Sequence, residues 1–162
     1  MFKKISIVLS TLFGIGYFPF APGTVGSIVA ALVYYFVLPE FIFDNTLYQL
    51  LFGILILILS LISIYFIKEA EENLGRDSGK IIIDEFLCYF FAIIFIEKMP
   101  MVMIYSLVLF RLFDISKPLG INKLQKLPHG WGVMADDLLA AIYVNLIIHG
   151  IYFFRPEFFK II

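Results

Sequence analysis

The chain is short of charge, nearly free of cysteine and without an excess of either sign. Only 15% of its 162 residues are Asp, Glu, Lys or Arg, while 62% are hydrophobic. Ordinary soluble domains are about 25% charged and about 45–50% apolar, and a soluble fold of this length could not hide so much apolar surface. The net charge of −1 argues against a nucleic-acid binder, which needs a basic face. Cys88 stands alone, so there is no disulfide framework and no cysteine-based metal site. An A-x-A cleavage pattern is missing after Lys3–Lys4, and the apolar stretch there runs into Gly14–Ile15–Gly16. A cleaved signal therefore gives way to an amphipathic helix over residues 1–13, lying on a membrane surface. Phe2, Ile5, Leu9 and Leu12 share one face of it, and Lys3, Ser6 and Ser10 another. No internal repeat breaks the chain into parts, and the length fits one domain.

What is present is long apolar sequence. Leu47 to Ile67 runs 21 residues without a charge, enough to cross a hydrocarbon core of roughly 30 Å at about 1.5 Å per residue. Ser27 to Leu38 is a shorter apolar piece ending at Pro39–Glu40. Residues 68–80 begin helix-like and are broken by Gly75 and Gly79. Phe86–Ile96 and Met101–Phe110, joined by a turn at Glu97–Pro100, are too short to span independently and read as a hairpin inside a bundle. Leu138–Phe154 is the last span. The expectation is an all-α, polytopic membrane bundle of about five helical segments, some short, plus the N-terminal interfacial helix. Nine of the 12 Lys and Arg residues fall on one side of this alternation: Lys3, Lys4, Lys68, Arg76, Lys80, Arg111, Lys117, Lys123 and Lys126. The positive-inside rule puts that side in the cytoplasm.

Carboxylates stand at the heads of apolar runs on the same side. Asp136–Asp137 precede Leu138, and Asp84–Glu85 precede Phe86. Ionised carboxylates beside lipid are costly and usually functional, so the two pairs suggest a cation site at the membrane surface. Hard oxygen ligands suit Mg²⁺, which takes one or two carboxylates plus substrate phosphate. Gly130-x-Gly132 before the second pair reads as a flexible loop able to wrap a ligand. Arg111 and Asp114 are i,i+3 neighbours, and Pro118 should end their helix with Lys117 at its terminus. This group suits a phosphate headgroup beside a cation, or equally an ion pair and a snorkelling Lys. Residues 14–27 form a Gly/Pro loop that is neither a dinucleotide fingerprint nor a P-loop. Pro22–Gly23 suits a type II turn, with Thr24 or Ser27 capping the next helix and its free N–H groups facing phosphate. A plain turn and cap before a span remains the alternative. His129 reads as a surface histidine, and His149 as a structural one or one facing the lumen of the bundle.

Taken together, these blocks resemble the phosphatidylglycerophosphatase A family of bacterial membrane phosphatases. The matching stretches are Ala21-Pro-Gly-Thr-x-Gly-Ser27, Ile83–Asp84–Glu85, Phe110–Arg111…Asp114…Lys117–Pro118 and Gly132-Val-Met-Ala-Asp136–Asp137. They occur in the family's order over roughly residues 14 to 141. Four in order make a specific match. Cys88 departs from the glycine usual after the Asp-Glu pair, Gly120 from a common second proline, and Ala141 from a glycine often found after the aspartates. The resemblance implies Mg²⁺-dependent hydrolysis of phosphatidylglycerophosphate to phosphatidylglycerol and inorganic phosphate. It places the multi-pass protein in the bacterial inner (cytoplasmic) membrane with its active site on the cytoplasmic side. Carried over by position, Asp84, Glu85, Asp114, Asp136 and Asp137 become the acidic catalytic core. Asp84, Glu85, Asp136 and Asp137 become metal ligands, and Thr24, Ser27, Arg111 and Lys117 phosphate contacts. Asp77 is a weaker candidate.

Other phosphatase classes leave no trace. There is no Asp-x-Asp pair, Cys88 has no arginine six residues on, and Arg155–Pro156 has no lysine seven residues before Arg155. The Asp-Gly-x-x-Ala-Arg signature of alcohol phosphotransferases is also missing. The rival reading is a small transporter or channel with acids relaying cations or protons, which predicts acids deep in spans.

Overall fold

A computed structural model describes residues 2–160. The described residues form eight α-helices joined by turns and short helical pieces, with no strand among them. They are α1 (Phe2–Ser10), α2 (Pro22–Leu32), α3 (Phe41–Asp44), α4 (Thr46–Leu74), α5 (Ile83–Ile93), α6 (Pro100–Ser116), α7 (Ile121–Leu124) and α8 (Gly130–Phe154). The helix α5 lies at the centre and packs on α8, α2, α4, α6 and α1.

Two helices, α4 and α8, are long and apolar enough to cross a membrane. The 29 residues of α4 extend roughly 44 Å. Asn45 caps the start, its Oδ1 accepting from the Leu47 N–H at 2.8 Å. Gly75, at φ 94°, ends the helix, because only glycine enters that region without cost. The buried face of α4 mixes Ile56, Ile64 and Ile67 with polar side chains. Gln49, Ser60 and Ser63 are buried, while Leu51, Leu55, Ile58 and Leu61 are exposed. Small and weakly polar residues let helices approach closely where the surroundings are themselves apolar.

The N-terminal helix also buries polar side chains and exposes apolar ones. It ends at Ser10, and Leu12 and Phe13 already have positive φ. Ser6 and Ser10 face inward on α4, while Phe2, Ile5 and Val8 are exposed. The face expected to meet water is therefore the packed one. The reason is local: the Ser6 hydroxyl donates to the Phe2 carbonyl at 3.1 Å, so its polar atom is satisfied within the helix. The Ser10 carbonyl then receives the Ile82 N–H at 2.9 Å, tying the end of α1 to the start of α5.

Several boundaries differ from expectation. Pro22 is the first residue of α2, with Ala21 before it at φ 45°, so no type II turn forms at Pro22–Gly23. Neither Thr24 nor Ser27 caps the helix, because both lie inside it. Proline is favoured at a first helical position, where its missing N–H costs nothing. The α2 rod continues as a π-helical turn over Val33–Val37. The last helix begins eight residues earlier than its apolar run. Gly130 and Gly132 belong to its first turn and are buried.

Those two glycines are packing positions and form no flexible loop. A Cβ on Gly130 would come 2.6 Å from the Ile64 carbonyl oxygen, and one on Gly132 would come 2.7 Å from the carbonyls of Gln125 and Leu127. Backbone cannot yield as a side-chain tip can. Gly132→Ala should lower the thermal unfolding midpoint in detergent, with a cost of about 1–3 kcal/mol. Gly150→Ala, in the same helix with nothing within 4 Å, should leave the midpoint unchanged or raise it slightly.

Candidate functional site

Three helix ends bring five carboxylates together. Asp84 and Glu85 stand in the first turn of α5, where the helix dipole favours acids. Asp114 lies in the last turns of α6, and Asp136 and Asp137 in the second turn of α8. Single oxygens of Asp84, Glu85 and Asp137 all lie within 4.8 Å of one another, and so do those of Asp114, Asp136 and Asp137. Asp137 belongs to both groups. Asp84, Asp114, Asp136 and Asp137 are buried, and Glu85 is nearly so.

Two cations hold this cluster from one side. Arg111 Nη1 lies 2.8 Å from Asp114 Oδ2 and 3.7 Å from Glu85 Oε1. Lys117 Nζ lies 3.6 Å from Asp114 Oδ1 and donates to Asp136 Oδ2. Lys117 reaches this position because it takes the left-handed conformation, φ 44°, at the end of α6 just before Pro118. Burial on its own would lower the Lys117 pKa. The bond to Asp136 and the field of Asp114 and Asp137 outweigh it and raise the pKa to about 12. The lysine therefore stays charged across the physiological range.

The sequence placed Thr24, Ser27, Arg111 and Lys117 at substrate phosphate. In the structure, Arg111 and Lys117 are already engaged by the acids. Ser27 is buried, its hydroxyl donating to the Gly23 carbonyl at 3.1 Å and accepting from Arg111 Nη1 at 3.4 Å. It steadies the guanidinium. Thr24 is half-buried in the first turn of α2. A Cβ on Gly23 would collide with Glu85 Oε1 and come 3.1 Å from Arg111 Nη2. The glycine thus lets the N-terminal turn of α2 close on the Glu85–Arg111 pair. The exposed Asp77 stands outside both carboxylate groups, its carboxylate receiving the Gln125 amide. Asp114, not counted among the metal ligands from sequence, falls within a ligand group. Both of its oxygens are also paired, Oδ2 with Arg111 and Oδ1 with Lys117.

The residues fit a divalent cation. Asp84 Oδ1, Glu85 Oε2 and Asp137 Oδ2 are buried with no hydrogen-bond partner among the described residues. Five carboxylates face only two cationic side chains, and buried charge without a partner is strongly unfavourable. Every available donor is a hard oxygen, the set that Mg²⁺ or Ca²⁺ takes. Cys88, one turn beyond Asp84, faces Met134, its Sγ 3.5 Å from Met134 Sδ and 3.7 Å from the Met134 carbonyl oxygen. It fills the crossing of α5 and α8 directly beneath the acids.

The two histidines lie apart from this chemistry. His129 is exposed, at φ 54°, just before α8. His149 places Nδ1 2.9 Å from the Asn145 carbonyl oxygen and Nε2 3.2 Å from that of Phe95, just past the end of α5, and its one N–H donates to one of the two.

A buried all-oxygen acidic centre, bordered by one arginine and one lysine on a helical apolar scaffold, is the type of site that handles phosphate esters. The chain belongs to the phosphatidylglycerophosphatase A family, whose model matches residues 8–152. It is 33% identical over 157 residues to a phosphatidylglycerophosphatase A of Haemophilus influenzae, covering 92% of this chain and 93% of that one. It is 31% identical over 150 residues to a Bacteroides thetaiotaomicron protein named "Putative phosphatidylinositol-3-phosphatase", covering 89% and 91%. A phosphatidylglycerophosphatase A of Escherichia coli is 27% identical over 138 residues, covering 83% and 76%. No solved structure matches.

If the orphaned oxygens serve a cation, Mg²⁺ should raise the unfolding midpoint of the purified protein. Saturation at a hundred times Kd corresponds to about 2.7 kcal/mol. Asp137→Asn, which alters both oxygen groups, should abolish most of that shift. An equal shift in the variant would rule out Asp137 as a ligand.

Proposed function

We propose that the protein is a Mg²⁺-dependent lipid phosphatase that hydrolyses phosphatidylglycerophosphate to phosphatidylglycerol and inorganic phosphate. The observation that carries this reading is the set of unpartnered carboxylate oxygens beside Arg111 and Lys117, in a chain of this family. Asp84, Glu85, Asp114, Asp136 and Asp137 would hold the cation between them. When bound, the cation supplies Lewis-acid stabilisation of charge on phosphate.

The chain's own residues account for the rest. Arg111 and Lys117 supply positive charge for the phosphate oxygens, and the acids that grip them fix their orientation. The N-terminal turn of α2, packed against Glu85 and Arg111, adds backbone N–H groups. Water adds its oxygen to phosphorus and the ester P–O bond breaks. A carboxylate takes the proton lost by water, and the carboxylic acid so formed returns it to the departing lipid alkoxide, which leaves as the alcohol. The acids gather at one level of the bundle, near the start of α5, the end of α6 and the start of α8. A conducting path would call for acids spread along the spans. The lysine and arginine distribution supports a multi-pass arrangement in the bacterial inner membrane, with the site on the cytoplasmic side.

Phosphate release from phosphatidylglycerophosphate by purified protein tests the reading directly. Release should require Mg²⁺ and fall by about 10²–10⁴-fold in Asp84→Asn, with membrane insertion retained. Parallel assays with phosphatidylinositol 3-phosphate and phosphatidic acid fix the substrate. Undiminished release from the variant would refute the role of the acidic centre.

A further inference from the structure

A lipid has to meet the acids with its chains still in the bilayer. Drawing long acyl chains into water is prohibitive, because the cost adds with every methylene. The open edge of the acidic centre must therefore continue into an apolar surface. The side chains of Lys117, Arg111 and Glu85 are 22%, 15% and 13% exposed, against 3% for Asp136. Asp84 and Asp137 are buried as well. The way in thus passes the end of α6 and not α8.

Arg111 heads an apolar stripe. Val108 and Ile104, three and seven residues before it, lie on the same side of α6, and both are exposed. A matching stripe runs down α2, which packs on α6. Thr24 is half-buried at its head, and Ile28 and Leu32, four and eight residues on, are exposed. Between the two stripes Arg111 Nη1 donates to the Ser27 hydroxyl at 3.4 Å. Helix α2 starts at the level of the acids and α6 ends there, so both stripes go from a polar head to apolar positions in one direction. It is the direction in which the apolar part of α8 leaves Asp137. Ile104 lies about 10 Å from Arg111 along the axis, and Leu32 about 12 Å from Thr24. At the head of the seam, Arg111 Nε has no hydrogen-bond partner among the described residues.

We propose that the seam between α2 and α6 is the acyl-chain subsite, through which a phosphomonoester lipid reaches the acids sideways from the bilayer. The proposal rests on the phosphatase reading above. The phosphate meets Arg111 at the head of the seam, and the chains lie along Ile28 and Leu32 on one wall and Val108 and Ile104 on the other. The occupant follows from continuity: Arg111 belongs both to the acidic centre and to the apolar stripe. The groove between α1, α4 and α5 lacks this continuity. Its α5 wall is Ile83, Phe86 and Leu87, and that face turns away from Glu85.

The test places a benzophenone photocrosslinker at Val108, or at Leu61 on the exposed face of α4, in the purified full chain. Each protein is put into vesicles of phosphatidylethanolamine and phosphatidylglycerol with phosphatidylglycerophosphate as a minor component. Illumination follows in Mg²⁺ before hydrolysis depletes the substrate. The adduct at Val108 should be enriched in phosphatidylglycerophosphate about tenfold over its share of the vesicle, and the adduct at Leu61 should match the bulk composition. Separately, Val108→Trp and Ile28→Trp should raise KM for the dioleoyl lipid about tenfold with a smaller change in kcat. The rise should shrink for a dihexanoyl lipid, a contrast that general damage to the fold would not produce. Leu61→Trp should leave both constants unchanged. Bulk composition at Val108, equal enrichment at Leu61, or an equal KM penalty for both chain lengths overturns the proposal. Failure of the phosphatase reading would look different: no phosphate release from any lipid by the wild type, with the composition of the adducts still measurable.

Discussion

Negative charge packed away from water is the constraint on which the structure depends. Five carboxylates converge from α5, α6 and α8, and among the described residues only Arg111 and Lys117 answer them. Like charges at such spacing repel strongly where the dielectric is low. Each of the two cations therefore bridges two acids: Arg111 joins α5 to α6, and Lys117 joins α6 to α8. The α6 segment Arg111–Lys117 is the hinge pin of the cluster, and its sharp left-handed end is what turns Lys117 back onto Asp136. Oxygens left unpartnered in this arrangement give the centre an unmet demand for positive charge, which makes cation affinity and fold stability one problem.

Close helix approach is the second requirement, and small residues supply it. Gly23 brings α2 onto Glu85 and Arg111, Gly130 brings α8 onto α4, and Gly132 brings the 125–127 segment onto α8. Ala140 and Ala141, just beyond the aspartates, are fully buried. Many large apolar side chains of α1 and α4 are turned outward, where a bilayer would receive them. The inward faces of those helices carry serines whose burial would be unrewarding in a soluble core. The scaffold thus combines a buried apolar core with the close helix approach that small residues allow where the surroundings are themselves apolar.

Much of this was legible in the sequence. The uncharged run 47–67, the break at Gly75, the hairpin of short helices and the stop at Lys117–Pro118 follow from local chemistry, and the structure has each of them. The acids were legible because charge is rare in this chain and falls in pairs at the heads of apolar runs. Glycine was the main source of misreading. In sequence, Gly130-x-Gly132 and Pro22–Gly23 look like flexible turns, because glycine favours turns and lacks a side chain for the same reason that it permits close packing. Only the neighbouring backbones, distant in sequence, distinguish the two uses. The inverted face of α1 was hidden similarly, since a helical wheel gives the polar stripe but not what lies against it. The contact of Asp77 with Gln125 left no local signal, being made between residues 48 apart in the chain.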